Sequence, residues 1–518
     1  MITVFDLLLN SEKEHGDRIA VRDENISYTY TELLRRSLVI GESIETILNH
    51  TKNNLVFIIS TKSSRALVAL WSVIASGNYY ACLDIDTSIE RMSYLVEEME
   101  PALIIDTTIG GLFEVFDKSV KVIRLDDFTD EIMLDDKSWE EKRKKAIFNK
   151  AISTDPLYMV FTSGSTGHPK AIIKNHQSVL AFSEDFVSEF NLLDSEHEIF
   201  GNQASLDYDV SAKDIYISVY LGASLVIIPG KLFLTPVKLS QFLDDNKITI
   251  LIWAASAIKF IERFNCFGNC VPISLKKVFF SGEPMTTKCM EYWKKHLPGV
   301  ELYNLYAPSE VTGNCLYYKY RGDEKLSHLP LDTTFRNSEV IFLNENGKIS
   351  QNGEKGEAYI RGAFLAQGYY KDSEQTKSRF IQNPLHCLYP DIVYRTGDIF
   401  TVDDGFYIFN GRIDNQIKHM GHRIELEEIE ACITKCYKKT DFCIVYDRDK
   451  ENIVMLTQDD ELDFKELLNE LRRMIPKYML PFKAVYIKNI PLNARGKIDR
   501  KSAYALYEEE NKNVRGDN

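Results

Sequence analysis

The sequence contains no apolar run that approaches about 18 residues, so we expect no transmembrane helix. Its beginning, MITVFDLLLNSEKEHGD, lacks the basic region and the small-residue cleavage site of a secretory signal. These two absences predict a cytoplasmic protein. Basic residues are also in deficit, with 62 Lys and Arg against 76 Asp and Glu and a net charge of −14. That balance argues against nucleic acid as the main partner, because binding to phosphate backbones requires excess Lys and Arg.

The cysteines do not form a recognisable pattern. There are nine of them, and the pairs Cys266/Cys270 and Cys432/Cys436 lack histidines at zinc-ligand spacing. We therefore expect reduced thiols rather than a disulfide framework or a metal site. The chain has no internal repeat, and its 518 residues predict two or more folding units.

Hydrophobic periodicity divides the chain into three parts. Short apolar runs such as 53–60 and 102–106 alternate with helical patterns up to about residue 300, which predicts α/β architecture with mostly parallel sheets. From about Glu339, hairpin-like runs with Asn-Gly or Asp-Gly turns predict an antiparallel sheet or barrel. The last hundred residues predict a compact α+β unit. We predict a large domain over 1–410 and a small domain over 411–518.

The most informative segment is YMVFTSGSTGHPK at 158–170. The apolar run Leu157–Phe161 predicts a buried strand, and the residues after it are rich in glycines and hydroxyls and end in a lysine. Glycine allows a close backbone approach to an anion, and hydroxyls and amides donate to phosphate oxygens. The alternative is an ordinary surface turn. The predicted phosphate-binding residues are Thr162, Ser163, Gly164, Ser165, Thr166, Gly167 and Lys170.

This segment is not a P-loop, in which a lysine preceded by glycine opens a helix. Here Pro169 precedes Lys170, and Ala171–Lys174 predicts a second strand. The string resembles the phosphate loop of the adenylate-forming superfamily, which includes amino-acid adenylation domains of non-ribosomal peptide synthetases, acyl-CoA synthetases and D-alanine–carrier protein ligases. The resemblance implies a large domain, a small mobile domain, and the use of ATP and Mg²⁺ to form an acyl-adenylate.

The string NLYAPSE at 304–310 resembles the adenine and metal motif of the same superfamily. By this resemblance, Asn304 pairs with the adenine edge, and Tyr306 offers a face for stacking worth roughly 1–3 kcal/mol. Ser309 donates to the α-phosphate, and Glu310 holds Mg²⁺. Ala307 and Ser309 stand where the family has glycine and threonine. An acidic turn after a strand is the alternative.

Two further strings complete the predicted nucleotide site. In YRTGD, Asp398 resembles the carboxylate that accepts the ribose hydroxyls, although an Asp-capped turn is the alternative. In FNGRID, Arg412 resembles the arginine that contacts ribose and phosphate, and Phe409 is expected to cover the second face of adenine. Asp414 resembles the hinge about which the small domain rotates.

Two lysines of the small domain match catalytic positions. Lys418, in the string QIKHMGHRIE, matches a lysine presented in the second half-reaction, but a solvated loop lysine is an equal alternative. His419 and Met420 replace the isoleucine and arginine usual there. Lys497, in PLNARGK, matches the family lysine that contacts the substrate carboxylate and the phosphate, and neutralises charge during adenylation.

The segment 202–216 resembles the opening of the acyl pocket. Asp209 holds the place of the aspartate that pairs with the α-ammonium of amino acids, and it also has the position of a helix N-cap. Lys213, one turn later, is placed to reach an acidic side chain; pairing with Asp209 or exposure to water are the alternatives. The remaining pocket positions by this resemblance are Val210, Ile252, Phe279, Ser281, Leu305, Gly313 and Asn314.

Together the motifs predict a ligase that activates an amino acid as aminoacyl-AMP, releases pyrophosphate and transfers the aminoacyl group to a carrier-protein phosphopantetheine. The sequence contains neither a carrier signature nor a condensation signature, so both partners are expected to act in trans. An acyl- or aryl-CoA ligase that uses the same first step is the alternative. A non-catalytic nucleotide-binding module, suggested by Ala307 and His419, is a weaker one.

Overall fold

A computed structural model describes residues 2–109, 120–128, 139, 141–142, 151–164, 169–193, 197–437, 441–492 and 498–516. The described chain divides into two compact units. The first comprises Met1–Ile85, Glu100–Phe161 and Ala171–Ile413, and the second comprises Asp86–Met99, Thr162–Lys170 and Asp414–Asn518. The second unit therefore takes in two segments that lie far from the C-terminus in sequence. The assignment of domains to 1–410 and 411–518 stays a prediction.

The first unit contains a nine-stranded sheet whose central strands are parallel. In spatial order its strands are Thr333–Thr334, Leu316–Lys319, Glu301–Tyr306, Lys277–Ser281, Ile250–Ala254, Ile199–Asn202, Ser224–Ile227, Ile19–Arg22 and Ser27–Thr29. The carboxyl ends of three neighbouring parallel strands carry Ala254, Ser281 and Tyr306, which places predicted pocket and adenine positions along one edge.

A seven-stranded sheet carries the strand that precedes the glycine-serine segment. Its order is Gly368–Tyr369, Lys170–Asn175, Pro156–Thr162, Tyr79–Asp84, Leu55–Ser60, Leu103–Asp106 and Val122–Arg124. The predicted strands at 157–161 and 171–174 are thus confirmed. A five-stranded antiparallel sheet follows, made of Ser338–Leu343, Lys355–Gly362, Phe380–Gln382, Ile392–Asp403 and Phe406–Arg412.

Helices of the first unit connect the strands, and all of them except Ser373–Arg379, which buries no residue, have apolar residues on their buried faces. They are Phe5–His15, Tyr30–Ile47, Ser64–Ala75, His176–Glu189, Val210–Tyr220, Pro236–Asp245, Ala255–Arg263, Thr287–His296 and Ser373–Arg379. The helix His176–Glu189 begins directly after a strand because Asn175 Oδ1 accepts a hydrogen bond from the backbone N–H of Ser178 at 2.8 Å. The predicted alternation of strands and helices is confirmed.

The second unit is α+β, as predicted. It contains a hairpin of Gln416–His419 and His422–Glu425, and a three-stranded sheet of Phe442–Asp447, Asn452–Thr457 and Lys483–Tyr486. Its helices are Ile89–Met99, Leu426–Tyr437, Phe464–Met474 and Arg500–Gly516. Across both units, no helix in the described ranges is long and apolar enough to cross a bilayer. All nine cysteines are free.

A buried histidine makes the stability of the first unit depend on pH. His176 is 2% exposed, and its Nδ1 accepts a hydrogen bond from the backbone N–H of Val4 at 3.1 Å. Burial lowers the pKa of His176 from 6.5 to about 4. Between these values the unfolded chain binds a proton that the folded chain does not, so stability is lost as the pH falls below 6.5.

We expect His176→Gln, which keeps a hydrogen-bond acceptor, to reduce the loss of unfolding free energy between pH 7 and pH 5 by roughly 1–2 kcal/mol. Urea unfolding of the variant and the parent protein at both pH values measures this difference. The histidine would not be responsible if the two proteins lost the same unfolding free energy over that range. His422 of the second unit, whose burial also lowers its pKa to about 4, is present in both proteins and cancels.

Candidate active site

Asp398 is held in the first unit by two side chains that were predicted to act on the same nucleoside. Asp398 is 4% exposed, and its two carboxylate oxygens accept hydrogen bonds from the Tyr306 hydroxyl and from Arg412. Arg412 also donates to the carbonyl of Thr396 at 2.9 Å, which fixes the guanidinium. Burial and the charge of Asp398 raise the pKa of Tyr306 well above its ordinary value, so the phenol stays a hydrogen-bond donor.

The neighbours of this group are aromatic or amide side chains. Phe400 packs edge-on against Tyr306 at 5.1 Å and against Phe409 at 5.5 Å between ring centroids. Asn304 is buried, and its amide nitrogen donates to the carbonyl of Pro330 at 3.1 Å. The structure thus brings Tyr306, Asp398, Phe409 and Arg412 into one group, with Asn304 on the same strand as Tyr306. Their nucleotide roles stay predictions.

Glu310 lies in the turn that follows the strand Glu301–Tyr306. It is fully buried, and its Oε1 accepts a hydrogen bond from the Tyr369 hydroxyl at 2.6 Å. A carboxylate oxygen is a ligand that suits Mg²⁺, which commonly uses one or two carboxylates together with phosphate oxygens and water. The residue type and its placement beside Ser309 therefore fit the predicted metal role.

Asp209 stands at the N-cap position of the helix Val210–Tyr220, but its carboxylate makes no capping hydrogen bond to the backbone within the described residues. Asp209 Oδ1 instead accepts a hydrogen bond from the Tyr158 hydroxyl at 2.8 Å, and Oδ2 lies 3.6 Å from Lys174 Nζ. The N-cap interpretation is therefore wrong: tertiary partners, rather than the helix terminus, determine where this carboxylate points.

Lys213 is buried within the predicted pocket. It is 6% exposed, and its ammonium donates to Ser281 Oγ at 3.2 Å and to Asn314 Oδ1 at 3.1 Å. The alternative in which Lys213 faces water is therefore wrong, and the ammonium recorded beside Asp209 is that of Lys174. Lys213, Ser281 and Asn314 were predicted as pocket positions on separate segments, and the structure places their side chains in contact.

The other predicted pocket positions are apolar or small. All four apolar positions are buried, namely Val210, Ile252, Phe279 and Leu305. Gly313 has φ +69°, and a Cβ there would lie 2.4 Å from the Phe182 ring. A side chain at this position would be strained in its backbone and would collide with the aromatic core, so glycine is required.

The glycine-serine segment belongs to the second unit, where its donors meet carboxylates. The Ser163 hydroxyl donates to the carbonyl of Arg423 and accepts from the backbone N–H of Glu425, both at 2.8 Å. Lys170 Nζ lies 3.1 Å from Glu425 Oε1. The Thr162 hydroxyl is buried and makes no hydrogen bond to any described residue. Hydroxyls and an ammonium are donors suited to oxyanions, but the phosphate-binding role of these residues stays a prediction.

Glu428 extends this arrangement. The backbone N–H of Gly164 donates to Glu428 Oε2 at 3.0 Å, and Arg91 lies 3.6 Å from Glu428 Oε1. Burial raises the pKa of Glu428, and the charge of Arg91 opposes that shift. The carboxylates of Glu425 and Glu428 thus contact donors that were predicted to bind phosphate. Sequence reasoning missed both, and the only available signal was their position at the start of the helix Leu426–Tyr437.

The structure describes some of the remaining predicted site residues and not others. Lys418 lies half-buried on the strand Gln416–His419, and Asp414 Oδ1 accepts from the backbone N–H of Gln416 at 3.4 Å. Ser165, Thr166, Gly167 and Lys497 lie outside the described residues. The hinge and catalytic roles therefore stay predictions.

Two residues beside Asp209, namely Tyr158 and Lys174, were not singled out from the sequence as site residues. Tyr158 was assigned only to a strand. Lys174 carried a visible signal, because it places a charge at the end of the otherwise apolar run Ala171–Ile173 of a buried strand.

A family model described as AMP-binding enzyme matches residues 9–370, which is more than half of the chain. The chain belongs to the AMP-binding enzyme family. The predicted membership of the adenylate-forming superfamily is therefore confirmed, and the family match spans the glycine-serine segment, Asp209 and the strand that carries Tyr306.

Two kinds of relative are similar over nearly the whole chain. D-alanine--D-alanyl carrier protein ligase of Listeria monocytogenes is 29% identical over 502 residues, which cover 93% of this chain and 94% of the ligase. Gramicidin S synthase 1 of Brevibacillus brevis is 25% identical over 516 residues, which cover 96% of this chain. The chain spans 44% of the length of that synthase and only 8% of tyrocidine synthase 3 of Brevibacillus parabrevis.

The fold is that of adenylation domains. The Vibrio cholerae adenylation domain AlmE, solved in complex with glycyl-adenosine-5'-phosphate, superposes with a TM-score of 0.83 at 21% identity and covers 98% of both chains. The predicted fold class, a large α/β domain with antiparallel sheet followed by a small α+β domain, is confirmed by this likeness and by the sheets described above.

Proposed function

We propose that this family member activates an amino acid with ATP as aminoacyl-AMP, releases pyrophosphate, and transfers the aminoacyl group to the phosphopantetheine thiol of a separate carrier protein. The observation that carries the proposal is Asp209, a pocket carboxylate held by Tyr158 at 2.8 Å where the family's amino-acid ligases bind the substrate ammonium. The name of the similar D-alanine--D-alanyl carrier protein ligase supports the same substrate class and a carrier-protein acceptor. The cytoplasm, which has ATP and reduced thiols, stays the predicted location.

In the first step, a carboxylate oxygen of the amino acid attacks the α-phosphorus of ATP in line. A new oxygen–phosphorus bond forms while the bond to pyrophosphate breaks. Asp398, Arg412 and Tyr306 orient the ribose, and Lys497 neutralises charge that develops on the α-phosphate. When bound at Glu310, Mg²⁺ supplies further charge neutralisation on the phosphates. Holding the reacting oxygen and phosphorus in place is the main contribution of the protein.

In the second step, the carrier thiol gives up its proton to solvent water, and the thiolate attacks the carbonyl carbon of aminoacyl-AMP. The carbon–sulfur bond forms, the carbon–oxygen bond to phosphate breaks, and AMP leaves. Lys418 is proposed to act in this step, on the hairpin Gln416–Glu425. Rotation of the small domain about Asp414 would exchange Lys497 for Lys418 between the two steps.

A screen of amino-acid-dependent ATP–pyrophosphate exchange, over both D- and L-amino acids, tests the first step. We expect exchange with a narrow set of amino acids and none with fatty or aromatic acids. A holo-carrier protein and free CoA are then compared as acceptors. Thioester formation on CoA without any dependence on a carrier would favour the CoA-ligase alternative, and tight ATP binding without exchange for any acid would favour a non-catalytic module.

We further propose that Lys213 selects an acidic side chain. Lys213 is 6% exposed, and its ammonium donates to Ser281 and Asn314, so it offers a desolvated cation within the pocket. A substrate carboxylate would form a charge-assisted hydrogen bond there. An alanine side chain has no carboxylate to pair with this cation, which argues against simple transfer of the D-alanine specificity named for the similar ligase.

Lys213→Met is expected to lower kcat/KM for the preferred acidic amino acid by roughly 10–100-fold, the effect of losing a hydrogen bond to a charged group. The KM for ATP should not change. Lys276→Met, which removes a half-exposed lysine paired with Glu198 at 2.8 Å, is the control. If aspartate and glutamate are inert with the unmodified protein while small apolar amino acids support exchange, the assignment of Lys213 fails.

A further inference from the structure

A second buried lysine lies beside the start of the helix Val210–Tyr220. Lys174 is on the strand Lys170–Asn175 and is fully buried, and its Nζ makes no hydrogen bond to the described residues. Lys174 Nζ forms an ion pair with Asp209 Oδ2, and the distance of 3.6 Å between them is longer than a hydrogen bond. Lys174 is therefore a desolvated ammonium with unused donors, directed toward the carboxylate that is proposed to bind the substrate.

The fold itself does not need a charge at this position. The preceding residues, Ala171, Ile172 and Ile173, are those of an ordinary buried strand, and an apolar side chain would complete the run. A buried ammonium without full hydrogen bonding is costly, and apolar replacements of buried ion pairs are often neutral or stabilising. Such a residue is explained when a ligand supplies the missing acceptor oxygens.

The surroundings of Lys174 indicate which ligand would do so. Asp209 is fixed on its far side by the Tyr158 hydroxyl, and the Tyr158 ring stacks on Tyr80 at 5.8 Å between centroids. The Tyr80 hydroxyl in turn lies 2.6 Å from that of Tyr216 on the helix Val210–Tyr220. The Asp209 carboxylate, which Tyr158 holds in place, thus lies next to the buried Lys174 ammonium, at a distance longer than a hydrogen bond.

We propose that Lys174 is a substrate-binding residue that donates to the carboxylate of the amino acid, so that Lys174 and Asp209 together recognise the α-carboxylate and α-ammonium of the zwitterion. This inference rests on the proposed function. The Lys174 ammonium would contact the substrate carboxylate, and the Asp209 carboxylate would contact the substrate ammonium. Each of the two buried protein charges would then have an opposite charge as its partner. Lys174 would bind the carboxylate before ATP reacts, whereas Lys497 is proposed to stabilise charge during the reaction.

The electrostatics around Lys174 are consistent with this arrangement. Burial lowers the pKa of Lys174, while the charges of Asp209 and Glu310 raise it. The groups that act on its charge are therefore the carboxylate proposed to bind the substrate ammonium and the carboxylate proposed to bind Mg²⁺.

Lys174→Met tests the proposal, because methionine keeps the length of the side chain and removes its charge. With the amino acid identified by the exchange screen, we expect KM for that amino acid to rise on the order of 10–100-fold, while KM for ATP is unchanged. The midpoint of thermal unfolding is expected to fall, because Asp209 loses its ion-pair partner, so KM is measured at a temperature at which both proteins are folded.

A decarboxylated analogue of the same amino acid separates direct binding from a merely structural role. This amine has the ammonium that binds Asp209 but lacks the α-carboxylate that binds Lys174. Its inhibition constant should therefore be unchanged in Lys174→Met, or lower because the variant lacks a positive charge near the ammonium. An equal weakening of the amine and the amino acid would show that Lys174 only holds Asp209, and would overturn the proposal. An unchanged KM for the amino acid would overturn it as well.

Lys276→Met is the control, because it removes a lysine that lies outside the predicted pocket and pairs with Glu198. It should leave both KM for the amino acid and the inhibition constant of the amine unchanged. If Lys174→Met does not fold, Lys174→Gln should show the same contrast between amino acid and amine. If the unmodified protein shows no exchange with any amino acid, the proposed function is rejected. If it does show exchange, but Lys174→Met binds the amino acid and the amine with the same relative strength as the unmodified protein, only the role of Lys174 is rejected.

Discussion

Lys497→Ala is expected to slow amino-acid-dependent ATP–pyrophosphate exchange by roughly 10²–10³-fold, the scale of losing one preorganised electrostatic contact in the transition state. The ammonium is proposed to touch both the attacking carboxylate and the α-phosphate, so its loss affects kcat more than either KM. Initial exchange rates at saturating ATP and amino acid measure the effect.

Lys501→Ala is the control for this variant, because Lys501 is an exposed lysine at the start of the helix Arg500–Gly516. It should retain normal exchange. Exchange close to that of the unmodified protein in Lys497→Ala would refute the assignment of the catalytic lysine. A loss confined to thioester formation would instead place Lys497 in the second step.

Asp209→Asn is expected to raise KM for the amino acid by roughly 10²–10³-fold, because truncating one partner of a desolvated charge pair costs about 2–5 kcal/mol. Asparagine preserves the shape of the side chain and can still accept from Tyr158, so the change isolates the negative charge. KM for ATP should not move. Exchange kinetics with varied amino acid at saturating ATP measure both constants.

The chain offers a matched control on the same helix. Asp214 is fully buried and accepts from Asn202 Nδ2 at 3.1 Å, and burial raises its pKa well above the ordinary range. Its hydrogen-bond partner lies on the strand Ile199–Asn202 and not at Asp209, so Asp214→Asn should leave KM for the amino acid nearly unchanged. Equal effects of the two substitutions would indicate a disturbed helix rather than a lost ammonium contact.

The secondary structure around the site was predictable from local patterns. The strands flanking the glycine-serine segment lie where apolar runs and the following glycines place them. These features depend on contacts between residues close in sequence, whose propensities are visible in a single chain. The chemistry of the motifs was visible for the same reason, since each motif is a short contiguous string.

Contacts between remote segments were not predictable. The position of Asp209 before a helix left an N-cap open beside substrate binding, yet its carboxylate is bound by Tyr158 and approached by Lys174, which lie on two different strands. From the sequence, Lys213 could bind an acidic side chain, pair with Asp209 or face water. Its burial against Ser281 and Asn314 excludes the last of these interpretations. A local pattern states what a side chain is able to do, but the packing of distant elements selects its partner.

By itself, the sequence determined the alternation of strands and helices, the family, and the residue types available to bind phosphate, ribose and an amino acid, because short-range periodicity and contiguous motifs encode them. Only the tertiary structure decided which side chains the charged residues contact. Asp209 contacts Tyr158 and Lys174, Lys213 contacts Ser281 and Asn314, and Asp398 contacts Tyr306 and Arg412. The physical reason is desolvation. A buried charge must find a partner, and that partner is set by which strands and helices pack together.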